Sequence, residues 1–178
     1  PNVDTKRLIG AHTEVIDLKG RTVVPGFIES HCHPTTAEGL MKAMGVIDAS
    51  YEAGVRSIAD IQARIAEQVR RKPKGEWIHV RKEDDSKLAE RRHPVKGELD
   101  AVAPDHPVMI ETVGGHFNIT NSKAFQMAGV TKDTPDPMGG RFERDPKTGE
   151  LTGWIHETAM QVVQPIRFGR DPTVAEAM

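Results

Sequence analysis

The sequence predicts an α/β fold, because candidate strands and helices alternate along the chain from residue 22 onward. A Pro-Gly turn precedes an apolar strand at residues 27–33, and a second apolar run at residues 107–111 is bounded by turn signals. Between them, isoleucine and valine recur every three or four positions over residues 57–71, as on the buried face of a helix. Together these patterns favour a mixed sheet with helices packed against it.

The elements before this helix follow from local composition. Residues 8–24 contain short apolar runs around Lys19-Gly20, which predicts short strands joined by a turn. Residues 37–54 are rich in Ala, Met and Leu, and Gly54 is a plausible stop, so this stretch is predicted to be helical.

The elements after this helix are shorter. A strand is predicted at 77–80 and a helix at 121–128, with Asn121 as its N-cap and Gly129 just past its end. Residues 82–96 are highly charged and are predicted to be solvated and irregular. Residues 133–153 carry the Pro, Gly, Asp and Thr content of loops and a hairpin, and a last helix is predicted to begin in 158–163.

The composition argues against several classes of protein. Among 178 residues, 24 basic side chains face 26 acidic ones, so no basic excess suggests a nucleic-acid partner. One cysteine excludes an internal disulfide framework and a cysteine-only zinc site. No apolar run approaches the roughly 18 residues of a membrane-spanning helix, so no membrane partner is expected.

The sharpest chemical signal is Ser30-His31-Cys32-His33-Pro34 at the end of the first apolar strand. Alternate residues of a strand point to the same face, so the imidazoles of His31 and His33 would lie together while Cys32 faces away. Two neutral imidazoles suit zinc and similar cations. The alternative is a pair of partly buried histidines held by ordinary hydrogen bonds.

Residues 20–34 resemble the opening signature of the amidohydrolase superfamily, in which a Gly-Arg, an apolar pair, Pro-Gly-Phe-Ile and His-x-His-Pro lead into the first barrel strand. Later blocks resemble the amidohydrolase-3 branch, which includes N-substituted formamide deformylase-like enzymes. They occur in the expected order at residues 98–108, 115–116, 121–124, 128–130, 136–140 and 148–153, the last followed by Glu157 and Ala159.

This resemblance implies a partial TIM (β/α)8 barrel of the metal-dependent hydrolase type, preceded by the tail of a small β-sandwich domain. Residues 1–26 would end the β-domain, and residues 27–178 would be the N-terminal part of the barrel with an inserted segment at about 72–150. His31 and His33 would be ligands of a divalent metal. Zinc is the first candidate, as one ion or two. The implied reaction is hydrolysis of an amide, formamide or cyclic-amide carbon–nitrogen bond in a small molecule.

Two further residues are candidates for catalysis. Glu157 corresponds to an acidic position of the family's Gly-x-x-x-Glu segment, and the resemblance implies a carboxylate that reaches or bridges the metal; the alternative is a cap or ion pair at the start of the next helix. His116 follows Gly114-Gly115 after an apolar strand, where it would donate a hydrogen bond to the substrate carbonyl or the developing oxyanion. The alternative is a loop histidine satisfied by nearby backbone.

The chain is short for this family. A complete barrel needs roughly 200–250 residues. The resemblance also implies two further histidine ligands on later strands and an Asp general base at the end of the last strand, and the sequence has no candidates for them. We therefore expect an N-terminal fragment that is inactive alone. For the full-length protein we expect a cytoplasmic location and a homodimer. The competing hypotheses are a catalytically degenerate relative with a binding or regulatory role, and a small non-catalytic α/β module.

Overall fold

The computed structural model describes Arg7, residues 9–26 and residues 45–167. The chain divides into two compact units, Pro1–Thr36 and Ala37–Met178. The predicted strand at residues 27–33, with His31 and His33, lies outside the described residues. The division into a β-domain and a barrel therefore stays a prediction.

The described residues of the first unit contribute turns. The predicted turn is confirmed, because the Leu18 carbonyl accepts from the Arg21 N–H at 3.0 Å and both Lys19 and Gly20 have positive φ angles. The short strands predicted for this region are wrong over residues 9–24, where the backbone forms no ladder. An extended segment becomes a strand only through hydrogen bonds to a neighbouring one.

The second unit is built on one sheet, whose six strands within residues 45–167 follow the order β1-β2-β3-β4-β6-β5. The first three strands are parallel, and β4, β6 and β5 continue the sheet in antiparallel pairs. The strands are β1 (Ile47–Asp48), β2 (Ile78–Glu83), β3 (Val108–Thr112), β4 (Phe117–Thr120), β5 (Gly140–Arg144) and β6 (Leu151–Glu157).

Four α-helices lie in the same range. Three stand between strands, α1 (Ile58–Val69), α2 (Lys96–Asp100) and α3 (Ser122–Ala128), and α4 (Met160–Arg167) follows β6. The α1 prediction is confirmed, since the Ser57 hydroxyl caps the helix by accepting from the Asp60 N–H at 3.2 Å. Its isoleucines are buried as the spacing predicted, each contributing about 1.5–3 kcal/mol of hydrophobic free energy.

The core lies on both faces of the sheet, because successive residues of a strand point to opposite sides. On β3, Ile110 packs with the isoleucines of α1 and with Leu99 of α2. Met109, its neighbour, packs on the other face with Phe125 of α3 and Val163 of α4. Helices therefore cover both faces, and the predicted α/β class is confirmed.

Two sequence predictions are corrected in this unit. Residues 45–54, the described part of the predicted helix 37–54, form β1 and a turn, because Ile47 pairs with Val80 and both Gly45 and Gly54 have positive φ angles. The stretch 82–96 is not wholly solvated, since Glu83 and Leu88 are buried and a 3-10 turn forms at Asp85–Lys87. None of the helices in the described ranges has the length and apolarity needed to cross a membrane.

Candidate active site

Several polar residues lie at the end of the sheet where its parallel strands reach their carboxyl ends, which we call the carboxyl edge. The parallel strands β1, β2 and β3 end there, β6 runs in the same direction as β3, and β4 begins beside its end. The carboxyl ends of parallel strands are where α/β proteins place their chemistry. The side chains contributed to this edge are Asp48, Glu83, Glu111, His116 and Glu157.

The structure brings the two candidate catalytic residues, His116 and Glu157, into contact although 41 positions separate them. Nδ1 of His116 lies 2.8 Å from Oε1 of Glu157. A second link joins their backbones, since the Glu157 N–H donates to the His116 carbonyl at 3.0 Å. The pairing of β4 with β6, in which Phe117 lies opposite His156, produces both contacts.

The contact determines what each ring nitrogen of His116 can do. A carboxylate oxygen only accepts hydrogen bonds, so Nδ1 donates to Glu157. In the neutral imidazole, Nε2 is then the lone-pair nitrogen, which can accept a proton or bind a metal. It donates to a carbonyl or an oxyanion only when His116 is protonated.

Both side chains are open to solvent, with 79% of His116 and 53% of Glu157 exposed. An exposed ion pair contributes at most about 1 kcal/mol to folding. The contact therefore orients the imidazole more than it stabilises the fold. Glu157 precedes α4, but its side-chain contact in the described structure is with His116 and not with that helix.

His156, the residue before Glu157, makes a second histidine–carboxylate contact, which the sequence did not predict. Nε2 of His156 lies 3.0 Å from Oε2 of Glu143, and Phe117 stacks on the His156 ring with 5.2 Å between centroids. The signal available in the sequence was only that His156 adjoins Glu157. Its partner, on the neighbouring strand, becomes visible only with the register of β5 against β6.

A third histidine–carboxylate pair is buried at the end of β2. Nδ1 of His93 lies 2.8 and 3.0 Å from the two carboxylate oxygens of Glu83, whose side chain has no exposed surface. Burial alone lowers the pKa of His93, but the hydrogen bond and charge of Glu83, with the charges of Asp85 and Asp84, raise the pKa overall. The prediction that the Glu83 side chain is exposed to solvent is therefore wrong.

Aromatic rings pack around this buried pair. Trp154 and Phe117 meet the His93 ring edge-on at 5.4 and 4.8 Å between centroids. The Trp154 indole N–H donates to the Pro94 carbonyl at 2.8 Å. Trp77 packs against the core on the other face of the sheet.

A cleft of about 560 Å³ opens at the carboxyl ends of β1 and β2. Its lining contains positive and negative side chains. Nζ of Lys82 lies 3.2 Å from Oδ2 of Asp48, and the backbone N–H of Ser50 donates to the same carboxylate. The remaining lining residues are Glu52 and Ala53.

Of the three predicted metal ligands, the structure describes only Glu157. His31 and His33 lie outside the described residues, whereas Glu157 lies at the end of β6. Within residues 45–167 and the described part of the first unit, no three His, Cys, Asp or Glu side chains form a group that could hold a metal ion. The assignment of His31, His33 and Glu157 therefore stays a prediction.

Comparisons with known proteins identify a family and several relatives. A sequence profile of the amidohydrolase family matches residues 14–178. The chain is 36% identical over 171 residues to the exoenzymes regulatory protein AepA of Pectobacterium carotovorum subsp. carotovorum, which covers 93% of this chain and 36% of that protein. It is 34% identical over 150 residues to the N-substituted formamide deformylase of Arthrobacter pascens, with 84% and 27% covered.

The fold is also similar to that of a solved structure. An uncharacterized metal-dependent hydrolase from Pyrococcus horikoshii OT3 superimposes with a TM-score of 0.51 at 24% sequence identity, covering 79% of this chain and 24% of that one. This chain thus spans between about a quarter and about a third of the length of the proteins it matches.

Proposed function

The chain belongs to the amidohydrolase family, and we propose that the complete protein is a metal-dependent hydrolase of non-peptide carbon–nitrogen bonds in small amides, formamides or cyclic amides. The observation that carries the proposal is the contact of His116 with Glu157 at the carboxyl edge of the sheet. The relative named a formamide deformylase supports the choice of bond. A partial (β/α)8 barrel is the architecture we propose around this edge.

The proposed metal ligands are His31, His33 and Glu157. Their donor chemistry fits a divalent cation such as zinc, since imidazole nitrogen and carboxylate oxygen are its usual ligands in hydrolases. When bound, such an ion polarises a substrate carbonyl and lowers the pKa of water toward neutrality. Oε2 of Glu157 is the oxygen that the His116 contact leaves for this purpose.

His116 is the proposed proton-handling residue. With Nδ1 held by Glu157, its Nε2 accepts a proton in the neutral form and, once protonated, donates to the carbonyl oxygen or to the departing nitrogen. Hydrolysis breaks the carbon–nitrogen bond, leaves the hydroxyl of water on the carbonyl carbon and places a proton on the nitrogen. A histidine with a carboxylate on its other nitrogen suits this exchange, because the carboxylate fixes the ring orientation and stabilises the imidazolium.

The test uses the complete natural protein, assayed against N-substituted formamides, cyclic amides and simple secondary amides. We expect turnover that is lost on treatment with a chelator and restored by zinc. We expect His31→Ala and His33→Ala to lower the metal content measured by elemental analysis. His12→Ala is the matched control, since His12 is an exposed histidine of the same unit. Unchanged metal content in both ligand variants would contradict the assignment.

A second candidate function is a regulatory role without catalysis. It is favoured by the similarity to a relative that is named a regulatory protein, at 36% identity over 93% of this chain. The same experiment separates the two functions. A protein that binds zinc, or a small amide, with no turnover of any substrate in the panel would support the regulatory role.

A further inference from the structure

The turn that follows β6 carries Glu157 in an unusual backbone conformation. Its φ angle is +48°, in the left-handed region that residues other than glycine seldom adopt. That conformation costs about 1–2 kcal/mol for a residue with a Cβ. It persists only where the surrounding structure holds it in place.

Three backbone contacts hold this residue and its neighbours. The Glu157 N–H donates to the His116 carbonyl at 3.0 Å, and the Ala159 N–H closes the turn by donating to the His156 carbonyl at 3.0 Å. In the strand register, Gly140 at the start of β5 lies opposite Glu157. These contacts fix the path of the backbone on the side of β4 and on the side of β5.

One side chain ties the same turn to the segment before β5. The hydroxyl of Thr158, the residue directly after Glu157, donates to the Met138 carbonyl at 2.7 Å. The Thr158 side chain also lies 3.5 Å from the position that a Cβ on Gly139 would take. Gly139 itself has a φ angle of +79°, so the Met138 carbonyl is presented from a tight turn.

We propose that Thr158 is a positioning residue for the His116–Glu157 pair. Its hydroxyl holds the left-handed Glu157 so that Oε1 stays on Nδ1 of His116. The inference rests on the proposed function for its catalytic meaning, but the orientation of His116 can be measured without turnover. The effect is expected to come from the hydroxyl and not from the bulk of the side chain, since the contact made is a hydrogen bond to a carbonyl.

The experiment compares Thr158→Val, which keeps the shape and removes the hydroxyl, with Thr158→Ser, which keeps the hydroxyl. The complete natural protein is labelled with ¹⁵N-histidine, and the His116 signal is assigned by its loss in His116→Gln. The ring nitrogen shifts report which nitrogen carries the proton. Thr148→Val is the matched control, because Thr148 donates to Asp145 at the opposite end of the same hairpin.

We expect the wild type, Thr158→Ser and Thr148→Val to show His116 protonated on Nδ1. Thr158→Val is expected to populate the Nε2-protonated tautomer and to lower kcat roughly 10- to 100-fold, as for a misplaced catalytic group, with KM changed less than twofold. A wild-type spectrum in Thr158→Val, or an equal change in Thr158→Ser or in Thr148→Val, would overturn the inference. Absence of turnover in the wild type would refute the proposed function and leave the tautomer result to decide this inference.

Discussion

Nδ1 of His93 lies 2.8 Å from a carboxylate oxygen of Glu83, and the Glu83 side chain is completely buried. The pair joins the end of β2 to a segment ten residues further along the chain, just before α2. His93 also lies 3.6 Å from Asp85 through Nε2, so the ring links the buried carboxylate with an exposed one. A buried charge with its partner removed is costly, which makes this contact a sensitive point of the fold.

The first prediction concerns pH and stability. Because the pKa of His93 is raised above its ordinary value of 6.5, the stabilisation from the pair is fully present below about pH 6.5 and is lost as pH rises through the folded pKa. His93→Gln should therefore lower the free energy of unfolding most under mildly acidic conditions. The expected loss is near the lower end of roughly 3–5 kcal/mol, because 17% of the His93 side chain reaches solvent.

Urea unfolding at several pH values between about 5.5 and 8.5 measures this loss. His12→Gln serves as the control, since His12 is an exposed histidine, and its stability difference from wild type should stay near zero. A His93→Gln difference that grows with rising pH would contradict the prediction.

The second prediction concerns the coupling of His116 with Glu157. His116→Ala should lower kcat/KM by roughly 10²- to 10⁴-fold, the range for loss of a general acid or base. Glu157→Ala should lower it at least as much, since Glu157 is also a proposed metal ligand. The double variant should be little worse than Glu157→Ala alone, because residues that act as a unit have non-additive effects. The free energy of unfolding should change by less than about 1 kcal/mol, since the pair is exposed.

Steady-state kinetics on the complete protein measures the coupling. Glu143→Ala is an informative comparison, because Glu143 holds His156 in a similar contact on the same pair of strands. Fully additive losses in the double variant would show that His116 and Glu157 act independently.

Local pattern predicted the elements whose stability is local. The spacing of the isoleucines predicted α1, and Asn121 and Gly129 predicted both ends of α3, where Gly129 has a φ angle of +68°. The strand predicted at residues 107–111 corresponds to Val108–Thr112. For the two helices, the periodicity or the capping residue is set by the physics of a single element, whereas the strand was predicted from an apolar run bounded by turn signals.

The sequence could not predict contacts that depend on register. Glu83 and His93 lie in a charged stretch, and their burial follows from the irregular pairing of β2 with β3 and from the rings of Phe117 and Trp154. The partner of Glu157 was also unpredicted, because 41 residues and a hairpin separate it from His116. The sequence made both residues candidates for the site without indicating that they would touch.

The third prediction concerns Asn121, the N-cap of α3, which does more than begin that helix. Its Oδ1 accepts from the N–H groups of Ala124 and Val108, and its Nδ2 donates to the carbonyls of Ala103 and His106, all within a fully buried site. Asn121→Ala leaves several buried backbone groups without partners, each at a cost of about 1–3 kcal/mol. We expect a loss of at least about 3 kcal/mol in unfolding free energy.

Ser57→Ala is the matched comparison, because Ser57 caps α1 with a single hydrogen bond. Its expected loss is about 1 kcal/mol, the usual value for an N-cap. Urea unfolding followed by tryptophan fluorescence measures both variants. Equal losses would show that the additional hydrogen bonds of Asn121 contribute nothing to stability.

The fourth prediction separates two reasons for a glycine on the β5–β6 hairpin. A Cβ on Gly140 would lie 2.6 Å from the His156 carbonyl oxygen and closer still to the backbone nitrogen of Ala159, with no positive φ involved. Gly149 has a φ angle of +73° and open space around it. Gly140→Ala therefore forces backbone to move, at about 1–3 kcal/mol as for overpacking. Gly149→Ala meets only conformational strain of about 1–2 kcal/mol.

The two variants should differ most in what they do to the site. Because Gly140 lies opposite Glu157, its replacement should speed hydrogen exchange at the Glu157 N–H, which donates to the His116 carbonyl. Gly149→Ala, at the far end of the hairpin, should leave that exchange rate unchanged, and Gly97→Ala, with open space and no positive φ angle, should change neither stability nor exchange by much. Equal exchange rates in Gly140→Ala and in the wild type would show that the close approach of β5 does not hold the turn.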